Sequence, residues 1–279
     1  ASSISHTMAR DLDLTVLPLN YFVDEVEHAG FFPDKPIDLK AFYNSMREGR
    51  SVRTSLPNPH HTHQTLEGLL QKGKDVLYLG FSSALSGTFD SVHNIANQLA
   101  EQYPERRIEC VETHAASFAQ GLIVKQAALM AKAGSTLDAV AQWVADNCQR
   151  FNHWVTVDDL SFVLNGGRMQ RTGAFAANLL GIKPLLRIDE QGAIDVVEKC
   201  RGRKAVLKKM AQRVKDRIEG DDEEIVIGHG DCLADAEKLR DLIMDGTKLH
   251  NFAIHYLDPV IGTHGGPGSM AVFFRGGAR

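Results

Sequence analysis

The sequence lacks the features that define several common functional classes. None of its apolar runs reaches the roughly 18 residues that a membrane-spanning helix needs, and the longest, residues 122–130, is interrupted by Lys125 and Gln126. The 31 basic and 35 acidic residues leave a net charge of −4, so the overall charge does not attract nucleic acid or an anionic membrane. We therefore expect no nucleic-acid partner and at most transient membrane contact.

Cysteine is scarce as well, and its spacing is uninformative for metals. The four cysteines, at positions 110, 148, 200 and 232, form no CxxC pair, which removes the usual signature of a zinc site or a thioredoxin-like centre. Four reduced thiols, together with a start that has neither the basic nor the apolar region of a signal peptide, favour a cytoplasmic location. The start also has no initiator methionine, so we expect a trimmed N-terminus.

Nucleotide-binding signatures are missing too. Neither GxGxxG nor GxxxxGK[ST] occurs, and we expect neither a nucleotide site nor another cofactor. What the sequence does have is the composition of a globular protein, with 43% hydrophobic and 24% charged residues.

Strand-like and helix-like segments alternate along the chain, which predicts an α/β protein. Residues 14–19, 75–80 and 108–112 have the apolar pattern of strands, and helical spacing follows the last two. In the second half, the turn-like residues 189–192 predict a hairpin. We expect two domains, with a parallel sheet in residues 1–151 and a mixed sheet in residues 152–279.

Three loops are rich in hydroxyl and glycine residues, namely residues 53–57, 82–88 and 262–268. Hydroxyls and backbone N–H groups at the end of a strand can hold an anion, and a following helix N-terminus helps. Each loop taken alone is equally compatible with a helix cap or a tight turn. Three of them in one chain favour a shared anion site.

Two other constellations admit a chemical and a structural interpretation. Residues 80–84 read GFSSA, close to the GxSxG elbow of serine hydrolases. The histidines at positions 60, 61 and 63 lack nearby acidic or cysteine ligands, so a polar helix start is favoured over a metal site. We expect no metal.

Taken together, these segments resemble the bacterial DegV family, whose studied members resemble fatty acid-binding subunits of fatty acid kinase. The segments that carry the resemblance occur in the family's order: TSLP at 54–57, SSALSGT at 82–88, DLSF at 159–162, NGGR at 165–168, GIKPLL at 181–186 and IGTHGGPG at 261–268. The resemblance implies a two-domain fold that holds one long-chain fatty acid between its domains.

Site residues follow from the same resemblance. It implies that the carboxylate meets Thr54, Ser86 and His264, with Ser55, Gly87 and Gly265 beside them. These donors suit a carboxylate that has left water, because an unpaired buried charge is very costly. The acyl chain needs an apolar tunnel, which Phe162, Phe175 and their neighbours could line; ordinary domain core is an equal alternative.

The resemblance also implies a partner and a division of labour. The protein would present the acyl carboxylate to a separate ATP-dependent kinase subunit and would not itself be an enzyme. Arg201 or Arg203, in a basic segment, matches an arginine that serves this encounter, although a solvated helix face explains the segment equally well. The alternative function is an acyl hydrolase with Ser82 or Ser86 as nucleophile and His264 as base.

One departure concerns the first sheet. Family members usually open with a strand that ends just before the segment matching residues 1–3. That strand is absent from this sequence, so we expect the first sheet to lack a member.

Overall fold

The computed structural model describes residues 2–31, 37–169 and 181–279. In chain order the strands are β1 (Asn20–Val23), β2 (Val26–Ala29), β3 (Val52–Ser55), β4 (Val76–Gly80), β5 (Ile108–Glu112), β6 (Phe151–Thr156), β7 (Ile182–Ile188), β8 (Ile194–Arg201), β9 (Ile225–His229), β10 (Phe252–Tyr256) and β11 (Met270–Arg275). The helices are α1 (His6–Asp11), α2 (Leu39–Arg47), α3 (Pro59–Gln71), α4 (Thr88–Gln102), α5 (Ser117–Lys132), α6 (Leu137–Asn147), α7 (Ser161–Asn165), α8 (Arg203–Arg217), α9 (Leu233–Met244) and α10 (Pro259–Gly265).

A six-stranded mixed sheet forms the centre of the second half, in the order β10-β9-β11-β6-β7-β8. Strands β9 and β10 are parallel, and the other neighbours are antiparallel. Alternate residues along β9 face opposite ways, so Ile225 and Ile227 pack with α8 and α9 while Val226 packs with α5. Both faces of the sheet are therefore covered at β9, as its run of apolar residues requires.

The first half is built from two smaller sheets. Strands β4 and β5 form the predicted parallel pair, and β1 lies between β2 and β3 in an antiparallel sheet that the sequence analysis did not anticipate. The predicted class, an α/β fold with parallel and mixed sheets, is confirmed. The division of the chain at residues 151 and 152 stays a prediction.

The predicted strand at residues 14–19 is wrong, because this segment lies outside the sheets. A cavity of about 640 Å³ separates it from β4, and consecutive residues of both segments line the walls. Among the described residues, β4 pairs only with β5, so its other edge borders the cavity. An apolar alternating segment becomes a strand only when a neighbouring strand pairs with it.

Candidate functional site

Helix α10 positions His264, which the sequence analysis had placed in a loop of residues 262–268. The Asp258 carboxylate accepts from the backbone N–H groups of Val260 and Ile261, and Pro259 occupies the first turn. These are standard start signals for a helix. The helix ends where Gly266 adopts φ = 74° and its N–H bonds to the Gly262 carbonyl. His264 thus stands in the last turn of a capped helix rather than on a loop.

Strand β3 brings Thr54 to this helix. Thr54 lies opposite Tyr21 of β1 in the antiparallel register, and α10 packs against both strands. The Thr54 hydroxyl lies 3.0 Å from Nε2 of His264, so the two side chains share a hydrogen bond. These residues are 210 positions apart in the chain, and their contact joins two of the three predicted loops.

The imidazole of His264 is held in a neutral state. Burial, reinforced by the positive charge of Arg168, lowers the pKa of His264 to about 4. Its Nδ1 is buried and has no hydrogen-bond partner among the described residues. A Cβ at Gly166 would lie 2.6 Å from this nitrogen, so only glycine permits the close approach of α7 to the ring.

Arg168 is the site residue that sequence reasoning missed. Its Nε donates to the Leu85 carbonyl at 3.1 Å and its Nη1 donates to the Gly166 carbonyl, so the guanidinium links the 82–88 loop to the end of α7. Burial lowers the pKa of Arg168. The sequence did contain a signal for Arg168. In the NGGR segment, two glycines end a short helix and a basic residue follows them directly.

Ser86 is placed on the adjacent loop, but its hydroxyl has another partner. Ser86 Oγ lies 2.8 Å from the Thr88 hydroxyl and accepts from the Thr88 backbone N–H at 3.3 Å. It therefore assists the start of α4. The loop nevertheless lies close to the end of β3. A Cβ at Gly87 would lie 3.9 Å from the side chain of Leu56, the residue that follows this strand.

The remaining predicted residues occupy the surroundings of this site. Ser55 ends β3, Gly87 caps α4 and Gly265 ends α10. The Phe162 ring packs against Gly266, where a Cβ would lie 2.3 Å from the ring. Phe175 lies outside the described residues.

The hydrolase alternative receives no support. Ser82 is fully buried and its hydroxyl donates to the Gly192 carbonyl at 2.8 Å. Ser86 is bonded to Thr88, and His264 is bonded to Thr54. In the part of the chain that the structure describes, neither serine is hydrogen-bonded to an imidazole that could act as its base, and a nucleophilic serine requires one.

The two arginines of the predicted docking segment differ in their surroundings. Arg201 ends β8 and is exposed. The side chain of Arg203 is only 18% exposed and forms ion pairs with Asp158 and Asp235. Of the two, Arg201 is the one that a partner could reach.

The part of the chain that the structure describes offers neither a metal-ligand cluster nor a membrane-crossing helix. Within residues 2–31, 37–169 and 181–279, no three histidine, cysteine or acidic side chains converge as metal ligands would. Over the same ranges, none of the helices has both the length and the apolar character needed to cross a bilayer.

Comparison with known proteins places the chain in a family. The sequence profile of the DegV family matches residues 1–276, and a DegV domain-containing protein of Clostridium perfringens is 39% identical over 277 residues, which cover 99% of this chain and 95% of the relative. The chain belongs to the DegV family.

Solved structures share the fold. A fatty acid-binding DegV family protein from Streptococcus agalactiae superimposes with a TM-score of 0.86 at 25% identity, over 99% of this chain and 96% of that one. A DegV fatty acid-binding protein from Bacillus subtilis gives a TM-score of 0.82 at 23% identity, over 99% and 96% of the two chains, which supports the fold alone.

Proposed function

We propose that this protein binds one long-chain fatty acid without transforming it and without a cofactor. The observation that carries the proposal is the contact between Thr54 and the neutral imidazole of His264, next to the partly buried Arg168 guanidinium. A hydroxyl, a ring N–H and a guanidinium are donors suited to a carboxylate, and the Thr54–His264 bond would open to make the first two available. Ser86 would join them by exchanging its bond to Thr88 for one to the ligand.

The acyl chain would lie in the apolar cluster behind these donors, between residues 1–151 and 152–279. That cluster contains Phe81, Leu85, Ala116 and Ile188, with Ile261 packed against it. Leu85 directly precedes Ser86, and Ile261 lies one turn before His264 in α10. The cluster therefore begins where the proposed carboxylate site ends.

Burial of the chain would supply most of the binding energy. At about 0.8 kcal/mol per methylene, a chain of roughly 15 methylenes contributes on the order of 12 kcal/mol before ordering and association costs. The polar donors would then select the head group, since leaving a buried carboxylate without partners is costly.

We further propose that the bound carboxylate is presented, in the cytoplasm, to a separate ATP-dependent kinase subunit. The support is the exposed Arg201 at the end of β8, together with the family membership. A basic side chain at the rim of an interface steers an anionic, nucleotide-bearing partner and acts mainly on the association rate.

Lipid extraction tests the binding proposal. Denaturing extraction of freshly purified protein, followed by mass spectrometry, should return about one long-chain fatty acid per chain. After delipidation, a fatty acid should rebind and its methyl ester should bind much more weakly, because the ester removes the charge that the donors recognise. Equal binding of acid and ester would contradict the proposed carboxylate site.

A kinase assay tests the docking proposal. Arg201→Ala should retain its fatty acid but be phosphorylated more slowly by the cognate kinase, most clearly at low salt. Arg240→Ala, an α9 side chain beside Asp241, is the matched control. Wild-type rates for Arg201→Ala at every ionic strength would remove Arg201 from the interface.

A further inference from the structure

Arg203 is anchored within the molecule by three contacts. It is the first residue of α8, and its Nε lies 3.0 Å from the Asp235 carboxylate. Its Nη1 lies 3.5 Å from Asp158, and its Nη2 contacts the Cys232 sulfur at 3.4 Å. A planar guanidinium presents several donors in a fixed geometry, so one side chain can fix several groups at once.

Asp158 reaches the turn that follows His264. Asp158 also pairs with Lys183, whose Nζ lies 2.7 Å from the carboxylate. The other carboxylate oxygen of Asp158 packs against Gly268, where a Cβ would lie only 2.2 Å from it. Gly268 has φ = 77°, so its backbone conformation also favours glycine.

Cys232 contacts the same turn through the residue after Gly268. The Cys232 thiol donates to the Ser269 carbonyl at 3.4 Å while it accepts from Arg203. Two backbone bonds, from Gly268 N–H to the Gly230 carbonyl and from Gly230 N–H to the Ser269 carbonyl, hold the turn against the end of β9. Asp158 thus contacts Gly268, and Cys232 contacts Ser269. Arg203 is bonded to both Asp158 and Cys232.

Residues 265–269 connect α10 to β11, and their path sets where the last turn of α10 ends. Gly265 lies against Ser269, because a Cβ at Gly265 would be 3.0 Å from the Ser269 side chain. We propose that Arg203 is a positioning residue for His264, acting through Asp158 and Cys232 on the turn of residues 265–269. This inference rests on the proposed fatty acid site for its functional meaning, but not for its structural test.

The structural test is the titration of His264 in the ligand-free protein, followed by NMR. In the wild type we expect a pKa of about 4. Arg203→Met should move it toward the ordinary value because the imidazole loses its buried position, and Arg203→Lys should move it less. Lys208→Met, an exposed change on the same helix, is the control. An unchanged His264 titration in folded Arg203→Met would overturn the inference.

The functional test is a double-mutant cycle on fatty acid affinity. Arg203→Met should weaken binding of a long-chain fatty acid about tenfold in the wild-type background and less than twofold when His264 is already alanine. Equal losses in both backgrounds would show that Arg203 acts elsewhere and would overturn the inference.

The two tests separate the inference from the proposed function. Wild-type protein that bound no fatty acid would refute the proposed function, while the NMR titration would still decide the role of Arg203. Should Arg203→Met fail to fold, Asp158→Asn tests the same path, and an unchanged His264 titration in that variant would likewise contradict it.

Discussion

The two sides of the candidate carboxylate site are organised differently. On the helix side, Thr54, His264 and Arg168 are already held by β3, α10 and the end of α7. On the loop side, the Ser86 hydroxyl bonds within its own loop to Thr88. Each side must therefore exchange a hydrogen bond when a ligand enters. The difference is that Thr54 and His264 stand on a strand and a capped helix, whereas Ser86 stands on a loop. Groups on regular elements contribute more to affinity than groups on a loop, since less of the backbone has to be ordered around the ligand.

The largest expected effect comes from removing the charge on the helix side. Arg168→Met should weaken fatty acid binding on the order of 100-fold, about 3 kcal/mol, because the carboxylate would lose a charged partner in a partly buried site. Isothermal titration calorimetry of delipidated protein measures the change. Arg240→Met, an ion-paired surface residue, should bind as the wild type does.

Removal of the Thr54 hydroxyl should have the next largest effect. Thr54→Val keeps the shape but loses a hydrogen bond to a charged acceptor, which costs about 1.5–3 kcal/mol, or roughly 10–150-fold in affinity. Thr65→Val serves as the control, since the Thr65 hydroxyl donates to the His61 carbonyl within α3, away from the candidate site. Unchanged affinity of Thr54→Val would remove Thr54 from the site.

A change in the apolar cluster should alter chain length rather than head-group recognition. Ala116 is 8% exposed and lies beside Leu85 and Phe81. Ala116→Phe should exclude two or three methylenes, about 2 kcal/mol for a long chain, and spare shorter fatty acids. Competition among fatty acids of increasing length measures the change in length preference. If the wild type and Ala116→Phe prefer the same length, the acyl chain does not lie beside Ala116.

The burial of His264 predicts a pH dependence of stability. Its pKa is about 4 in the folded protein and near 6.5 in an unfolded chain, so the unfolded state binds the proton more tightly. Stability should be fully present above about pH 6.5 and should fall as the pH drops toward 4, by on the order of 3 kcal/mol. Urea unfolding at several pH values should show this loss in the wild type and a smaller one in His264→Gln.

The loop side should give the smallest effect. Ser86→Ala should weaken binding only about two- to tenfold, near 1 kcal/mol, because Ser86 stands on a loop and ordering that loop around the ligand offsets part of the hydrogen bond it forms. An effect as large as that of Thr54→Val would mean that both sides of the site are equally prepared and would remove the distinction between them.

Much of the fold was visible in the sequence. Hydrophobic periodicity predicted β4, β5, α4 and α5, and a turn signal predicted the β7–β8 hairpin, because each is specified by a local pattern. The strand predicted at residues 14–19 failed, since pairing depends on a neighbour that the pattern does not contain. Helix α10 was missed although Asp258 and Pro259 form a standard helix start, because the glycines that follow were interpreted as a loop.

The site was less predictable than the fold. The proximity of Thr54 to His264 was expected from the family resemblance, not from spacing, since 210 positions separate them. The bond between Ser86 and Thr88 and the burial of Arg168 depend on side-chain packing, on which the sequence pattern is silent. Arg203 illustrates the same limit, since a basic segment does not show which of its side chains is buried.

The most direct test of the fatty acid site is the titration of His264 by NMR in delipidated and loaded protein. A carboxylate beside the imidazole favours its charged form, so loading with a long-chain fatty acid should raise the pKa of His264 above its ligand-free value of about 4. Loading with the long-chain alcohol, which has the same chain without the charge, should raise it much less. If the pKa of His264 is the same in the loaded protein as in the delipidated protein, the carboxylate is not bound at Thr54 and His264, and the account is contradicted.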